Sequence, residues 1–120
     1  MNRRVLAGVS DLFFASKIRG TAEQVNVTVE FARSADSLFD KAKTEVPSLV
    51  ILDLQSEAPD AFEAAARLKA DERLSGVPIV AYVSHVEVEL QRRAREAGID
   101  LVMPRSAFTS RLPSILAGEY

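Results

Sequence analysis

The chain has 120 residues, 48% hydrophobic and 27% charged, with 15 basic and 17 acidic side chains and a net charge of −2. That size and composition fit one soluble domain, residues 1–120, with an apolar core, and leave little room for a second. The signs are evenly mixed, with no basic block and no Lys/Arg stripe among aromatics, which argues against a nucleic-acid partner. The absence of Cys excludes disulfides and thiolate metal sites and suits the cytoplasm.

The opening "MNRRVLAGVS" has two arginines and a short apolar piece, too quickly interrupted by Ser10 and Asp11 for a signal peptide or a membrane span. Val5–Val9 reads as a first strand. Leu12–Glu23 follows as a helix, with Phe14, Ile18 and Ala22 four apart and Ser10 or Asp11 as its cap. Within Val25–Phe31, Val27, Val29 and Phe31 alternate with Asn26, Thr28 and Glu30, the pattern of a more exposed strand. Asp36–Lys43 places Leu38 and Ala42 four apart behind Ser34 or Asp36. Leu49–Leu54 is apolar without alternation except for Asp53, as a central parallel strand would be. Ala61–Ala70 carries Phe62, Ala65 and Leu68 behind an Asp60 cap. Ile79–Val83 is the fourth strand, and Val86–Ala97 is a helix with Leu90, Ala94 and Ala97, followed by Gly98 where a left-handed cap belongs. Leu101–Met103 is a short fifth strand. The spacing predicts a last helix from about Arg111 to Ala117, with Pro113 in its first turn.

Strict alternation of strands with helices long enough to be crossovers implies a parallel sheet covered on both faces: a flavodoxin-like (βα)5 doubly wound α/β fold. In that architecture ligands gather at the carboxyl ends of the strands. Asp53 falls there on strand three, Asp11 just after strand one, Ser84 and His85 after strand four, and Arg105 and Ser106 after strand five. Singly, each has a plain structural reading: a helix cap for Asp11, a helix start for Ser84, a surface charge for Arg105, a solvated helix terminus for His85. Together they make a candidate site.

The segments "RVLAGVSD", "PSLVILDL", "RLSGVPIVAYVS" and "AREAGIDLVMPRSAF" give nearly the whole chain a pattern that resembles the receiver domains of bacterial two-component response regulators. The resemblance implies a phospho-acceptor aspartate at the end of strand three, which Asp53 matches. It also implies an acid pair after strand one that holds magnesium, a Ser or Thr ending strand four, and a Lys after strand five.

Against that pattern most supporting positions differ. Val9 and Ser10 stand where the acid pair belongs, with Asp11 one place beyond. Val83 occupies the hydroxyl position ahead of Ser84, Arg105 replaces Lys, Ser106 replaces the Pro that usually follows, and "SEAPDA" follows the aspartate where the family has a Met-Pro-Gly turn. A magnesium site made of Asp53 and a displaced Asp11 is expected to be weak or absent, and phosphoryl transfer leans on that electrostatic help. Arg105, able to pair bidentately with a carboxylate, is expected to reach Asp53 as a fixed counter-charge.

Phe14 is expected in the core, Phe13 about 100° further round the helix and beside Asp11, and Tyr82 buried on the face opposite Val83. Helix four presents Gln91, Arg92, Arg93 and Arg95, a basic face for an acidic partner or simply a solvated surface. Val102 stands where receivers often carry an aromatic switch residue.

Three functions are consistent with these residues. One is a degenerate receiver that signals through protein contacts, with a histidine kinase or another signalling protein as partner; the chain ends near "LAGEY" with no output domain, so a surface would carry the signal. Another is a competent phospho-acceptor at Asp53 with a magnesium site shifted to Asp11. The third, a small-molecule binder, lacks a Gly-rich loop after strand one. Oligomeric state and pathway are not encoded in these motifs.

Overall fold

A computed structural model describes residues 3–120; Met1 and Asn2, part of the opening segment, lie outside the described residues. The chain runs β1 (Arg3–Gly8), α1 (Leu12–Gln24), β2 (Val27–Phe31), α2 (Ala35–Thr44), β3 (Leu49–Asp53), α3 (Ala61–Ala70), β4 (Ile79–Val83), α4 (Val88–Ala97), β5 (Leu101–Pro104) and α5 (Arg105–Leu116). All strand pairs are parallel and the sheet order is β2-β1-β3-β4-β5, the flavodoxin-like arrangement. The order reverses between β1 and β3, and the carboxyl ends flanking that point are where the fold opens a crevice.

Two apolar layers sandwich the sheet. Leu38 and Ala42 of α2, Ala61, Ala64, Ala65 and Leu68 of α3 and Ala94 of α4 pack on one face with Leu6, Val50, Leu52, Ala81 and Val83. On the other face Phe14, Ala15, Ile18 and Ala22 of α1 and Phe108, Leu112 and Ile115 of α5 pack on Val5, Ala7, Ile51, Val80 and Tyr82. Each strand residue serves one layer and the next serves the other, because strand side chains alternate. That is why Leu49–Leu52 needs no polar residue. The five residues of β3 are all buried, whereas β2, at the sheet edge, is mostly half-exposed, as its alternating pattern predicts.

Helix starts follow local chemistry. Asp11, Ser34 and Asp60 cap α1, α2 and α3 by accepting first-turn amides, and Gly98 ends α4 at φ 97°. Asn26 turns α1 into β2 at φ 58°, a conformation Asn tolerates better than most residues.

The end of the chain departs from the predicted pattern. Helix α5 begins at Arg105, directly off β5, rather than near Arg111, and Pro113 therefore lies deep inside it. Tertiary packing outweighs the missing N–H: Phe108, Leu112, Ile115 and Leu116 are all buried, and burying such side chains contributes about 1.5–3 kcal/mol each. Helix α4 also starts two residues later than its apolar spacing predicts, after Glu87, which makes no side-chain cap.

Candidate functional site

Asp53 ends β3 opposite Tyr82 of β4 and is only 5% exposed. Its Oδ1 accepts the Gln55 amide at 2.9 Å, and its carbonyl accepts the Ser56 amide at 3.2 Å, so the chain turns tightly over the strand end. The loop thus folds back over the carboxylate. Two side-chain bonds tie that loop down. Gln55 Oε1 accepts the Ser84 amide at 3.0 Å, and the Ser56 hydroxyl donates to Ser10 Oγ at 3.1 Å.

On the β1 side, the position expected to carry the first acid is Val9, which is 5% exposed and packed in the α1/α5 layer. Ser10 is exposed and bonded to Ser56. Asp11 is exposed, and its Oδ1 accepts the amides of Phe13 at 2.9 Å and Phe14 at 3.2 Å. That carboxylate anchors the first turn of α1. Among the described residues no group of three or more His, Asp or Glu side chains is placed to hold a metal ion. Asp53 and a cap-engaged Asp11 do not fit a preformed magnesium site, which demands near-octahedral oxygen coordination.

Arg105, at the first turn of α5, does not form the expected contact with Asp53. Its guanidinium carbon lies 5.4 Å from the Phe14 ring centre and 5.6 Å from that of Tyr82, and it makes no ion pair with Asp53. Phe14, Tyr82 and Phe108 form a trio of tilted rings beneath it, with centroids 4.7 Å apart for Phe14–Tyr82, 5.8 Å for Phe14–Phe108 and 4.8 Å for Tyr82–Phe108. A planar cation over aromatic faces is held electrostatically by the ring quadrupoles, so the arginine has a seat independent of any carboxylate. The physical reason for the correction is that α5 begins at Arg105 itself, which places the side chain over the α1/α5 layer.

Tyr82 is fully buried and, as expected, faces away from Val83. Among the described residues its hydroxyl has no hydrogen-bond partner, nor does Arg105 Nε. Burial pushes the Tyr82 hydroxyl well above the ordinary phenol range; Asp53 adds to the rise, Arg105 opposes it, and Asp11 adds a smaller push. Asp11, Asp53 and Arg105 therefore all lie within electrostatic reach of one buried hydroxyl, and Asp11 and Arg105 line the same open groove.

The remaining candidates lie further out. Ser84 is exposed and joins the site through its amide, and Val83, at the expected hydroxyl position, is buried in the α2/α3/α4 layer. His85 and Ser106 are exposed, and no hydrogen bond from either side chain is present among the described residues. Val102 is half-buried. On α4, Arg92 pairs with Glu89 and Glu96, and Arg93 lies 4.4 Å over the Phe62 ring, so much of the expected basic face is already occupied. The Arg92 hydrogen bond holds the Glu89 carboxyl below its usual range. Sequence reasoning missed Gln55, the Ser10–Ser56 bond and the aromatic seat of Arg105. Gln55 offered only its place two residues after Asp53.

No family model matches this sequence, and no curated protein matches it. Solved structures do. The chain is similar to the chemotaxis response regulator CheY4 of Vibrio cholerae, with 16% identity, 100% of each chain covered and a TM-score of 0.87. It is similar to the receiver domain of a sensor histidine kinase of Pseudomonas aeruginosa, which holds a coordinated magnesium ion in its active-site cleft (15% identity, 98% and 97% covered, TM-score 0.85). A phosphorylated cyanobacterial phytochrome response regulator is also similar, at 18% identity, 98% and 91% covered and a TM-score of 0.78. From end to end, this chain has the flavodoxin-like fold in which receiver domains are built.

Proposed function

We propose that this chain is a receiver-like module of two-component signal transduction, working in the cytoplasm through protein–protein contacts with a histidine kinase or another signalling protein. Phosphorylation at Asp53 is lost or accessory, and the module binds rather than catalyses. The observation that carries the reading is the fate of the two acids. Asp53 keeps the strand-end position of the family's acceptor, while Val9 is buried where an acid belongs and the Asp11 carboxylate holds the start of α1. In the family, magnesium neutralises charge on the transferring phosphoryl group; here the side chains near Asp53 are instead a glutamine latch, an unpartnered tyrosine and an arginine seated on aromatics.

A specific observation favours the second reading, a competent acceptor: Asp53 has one oxygen, Oδ2, with no hydrogen bond among the described residues. Incubation with magnesium and acetyl phosphate, followed by intact-mass measurement, separates the two. The proposal expects no acid-labile adduct at saturating donor. An adduct that disappears in Asp53→Ala overturns it in favour of the competent acceptor.

A further inference from the structure

Two neighbouring cavities beside the loop that follows Asp53 differ in charge. One, of about 230 Å³, is lined by four acids, Asp36, Glu57, Asp60 and Glu63. The other, across Ala58, has a volume of about 390 Å³, at the small end of the range for small-molecule sites, and opens between α1 and the carboxyl end of β2. Its cations are Arg19 and Arg33, its ring is Phe31 and its hydroxyl is Ser10; none of the described residues that line it is acidic. Val9, Leu12 and Ala15 give it an apolar wall.

Neither arginine makes an ion pair among the described residues, whereas Asp36 beside the acidic cavity is paired with Arg67, and Arg92 on α4 with Glu89 and Glu96. Two uncompensated cations around one cavity, in a chain of net charge −2, create a local field that favours an anion. Both are held in place. The Arg19 guanidinium lies 4.9 Å over the Phe31 ring. The backbone of Arg33 is fixed on either side: the Ala32 amide donates to the Ala7 carbonyl at 3.0 Å, and Ser34 Oγ accepts the Ser37 amide at 3.0 Å to cap α2. Groups ordered in advance lose less entropy when a ligand arrives. A seat on Phe31 accounts for Arg19, but nothing inside the chain accounts for Arg33.

We infer that this cavity binds a small organic phosphomonoester. The phosphate lies between Arg19, Arg33 and the Ser10 hydroxyl, and the organic group lies on Val9, Leu12 and Ala15. A phosphomonoester offers a charge of about −1.5 to −2 and three terminal oxygens, which match two guanidinium groups and a hydroxyl; a monocarboxylate would leave one cation unmatched. Side chains hold the anion, so no Gly-rich loop after β1 is required. Ser10 also accepts the Ser56 hydroxyl at 3.1 Å and Ala58 lines the cavity, so the ligand sits against the loop that follows Asp53. Binding is reversible, with no bond to phosphorus made or broken, and the site stands independently of the signalling reading above.

The full chain is titrated with phenyl phosphate and followed by NMR in magnesium-free buffer with a chelator, with inorganic phosphate and phenol as separate probes. Saturable binding of phenyl phosphate is expected, about tenfold or more tighter than either fragment, with amide shifts centred on Ser10, Ala15, Arg19 and Arg33. Arg19→Gln and Arg33→Gln, both at exposed positions, each weaken it by about tenfold, Arg33→Lys by less, and Lys17→Gln, outside the cavity, leaves it unchanged. Unshifted β3 and β4 amides in the free variants confirm that the fold is intact. No saturation at millimolar ligand, equal binding of inorganic phosphate, equal weakening by Lys17→Gln, or shifts centred on Arg105 overturns the site. Tighter binding of a phosphoserine peptide or of single-stranded RNA overturns the small-molecule ligand in favour of that partner.

Discussion

Gln55 joins Asp53 to Ser84: its amide donates to Asp53 Oδ1 at 2.9 Å, while its side-chain oxygen accepts the Ser84 amide at 3.0 Å. The carboxyl ends of β3 and β4 are thus bridged by one residue of the loop between β3 and α3. In Gln55→Ala the Ser84 amide turns to water. Because that amide is exposed, the expected loss is small, about 0.5–1.5 kcal/mol. Hydrogen exchange at Ser84 should quicken more than at the β4 core amides; unchanged exchange at Ser84 would show that the bridge is not populated.

Tyr82 gives the clearest stability test. Its hydroxyl is buried without a partner among the described residues, so Tyr82→Phe removes a desolvated polar group and should leave stability unchanged or raise it by about 1 kcal/mol. Tyr82→Ala, which removes the ring packed against both Phe14 and Phe108, should cost about 3–5 kcal/mol. Urea denaturation of both variants distinguishes packing from polarity.

The same residue predicts a pH dependence. Burial, with Asp53, raises the folded-state pKa of Tyr82 above the ordinary value of 10.0. Above that pH the unfolded chain loses the tyrosine proton while the folded chain keeps it, so the unfolded state binds fewer protons and stability falls. The slope from this group approaches about 1.4 kcal/mol per pH unit, and the stabilisation is fully present below pH 10. Comparing denaturation midpoints of the native chain and Tyr82→Phe across this range isolates the contribution; parallel curves would contradict it.

Asp11 separates a cap from a metal ligand. Asn caps helices about as well as Asp, so Asp11→Asn should be nearly neutral, whereas Asp11→Ala, which frees the Phe13 and Phe14 amides, should lose about 1 kcal/mol. A magnesium titration followed by calorimetry should give the same weak, unsaturated response in the native chain and Asp11→Asn. A saturable signal lost in the Asn variant would make Asp11 a ligand.

Gly8, at the end of β1, has no room for a side chain: a Cβ there would stand 2.6 Å from Pro59 Cγ, 2.9 Å from Leu52 Cδ2 and 3.3 Å from Leu38 Cδ1. Gly8→Ala should cost about 1–3 kcal/mol through overpacking, read from the thermal or urea midpoint. The contact also matters to the site, since Pro59 belongs to the loop that follows Asp53.

Much of this molecule was legible in the linear pattern. The uninterrupted Leu49–Leu52 run marked a central parallel strand, the alternation after Asn26 marked a more exposed strand, and Asp60 and Gly98 marked helix ends, because burial on two faces, burial on one and local capping each leave a periodic or local trace. The α5 boundary was not legible. Its spacing favoured a start near Arg111, and only the packing of Phe108 against Phe14 and Tyr82 makes the preceding turns helical.

The site divides in the same way. Sequence alone placed Asp53 at a strand end, Asp11 at a helix start and Tyr82 in the core, since each position follows from strand period or helix capping. Only the tertiary structure decided that Arg105 rests on Phe14 and Tyr82 rather than on Asp53, and that Gln55 spans to Ser84. Those facts depend on where side chains from separate elements meet across the sheet edge, and no periodicity within one element encodes that meeting.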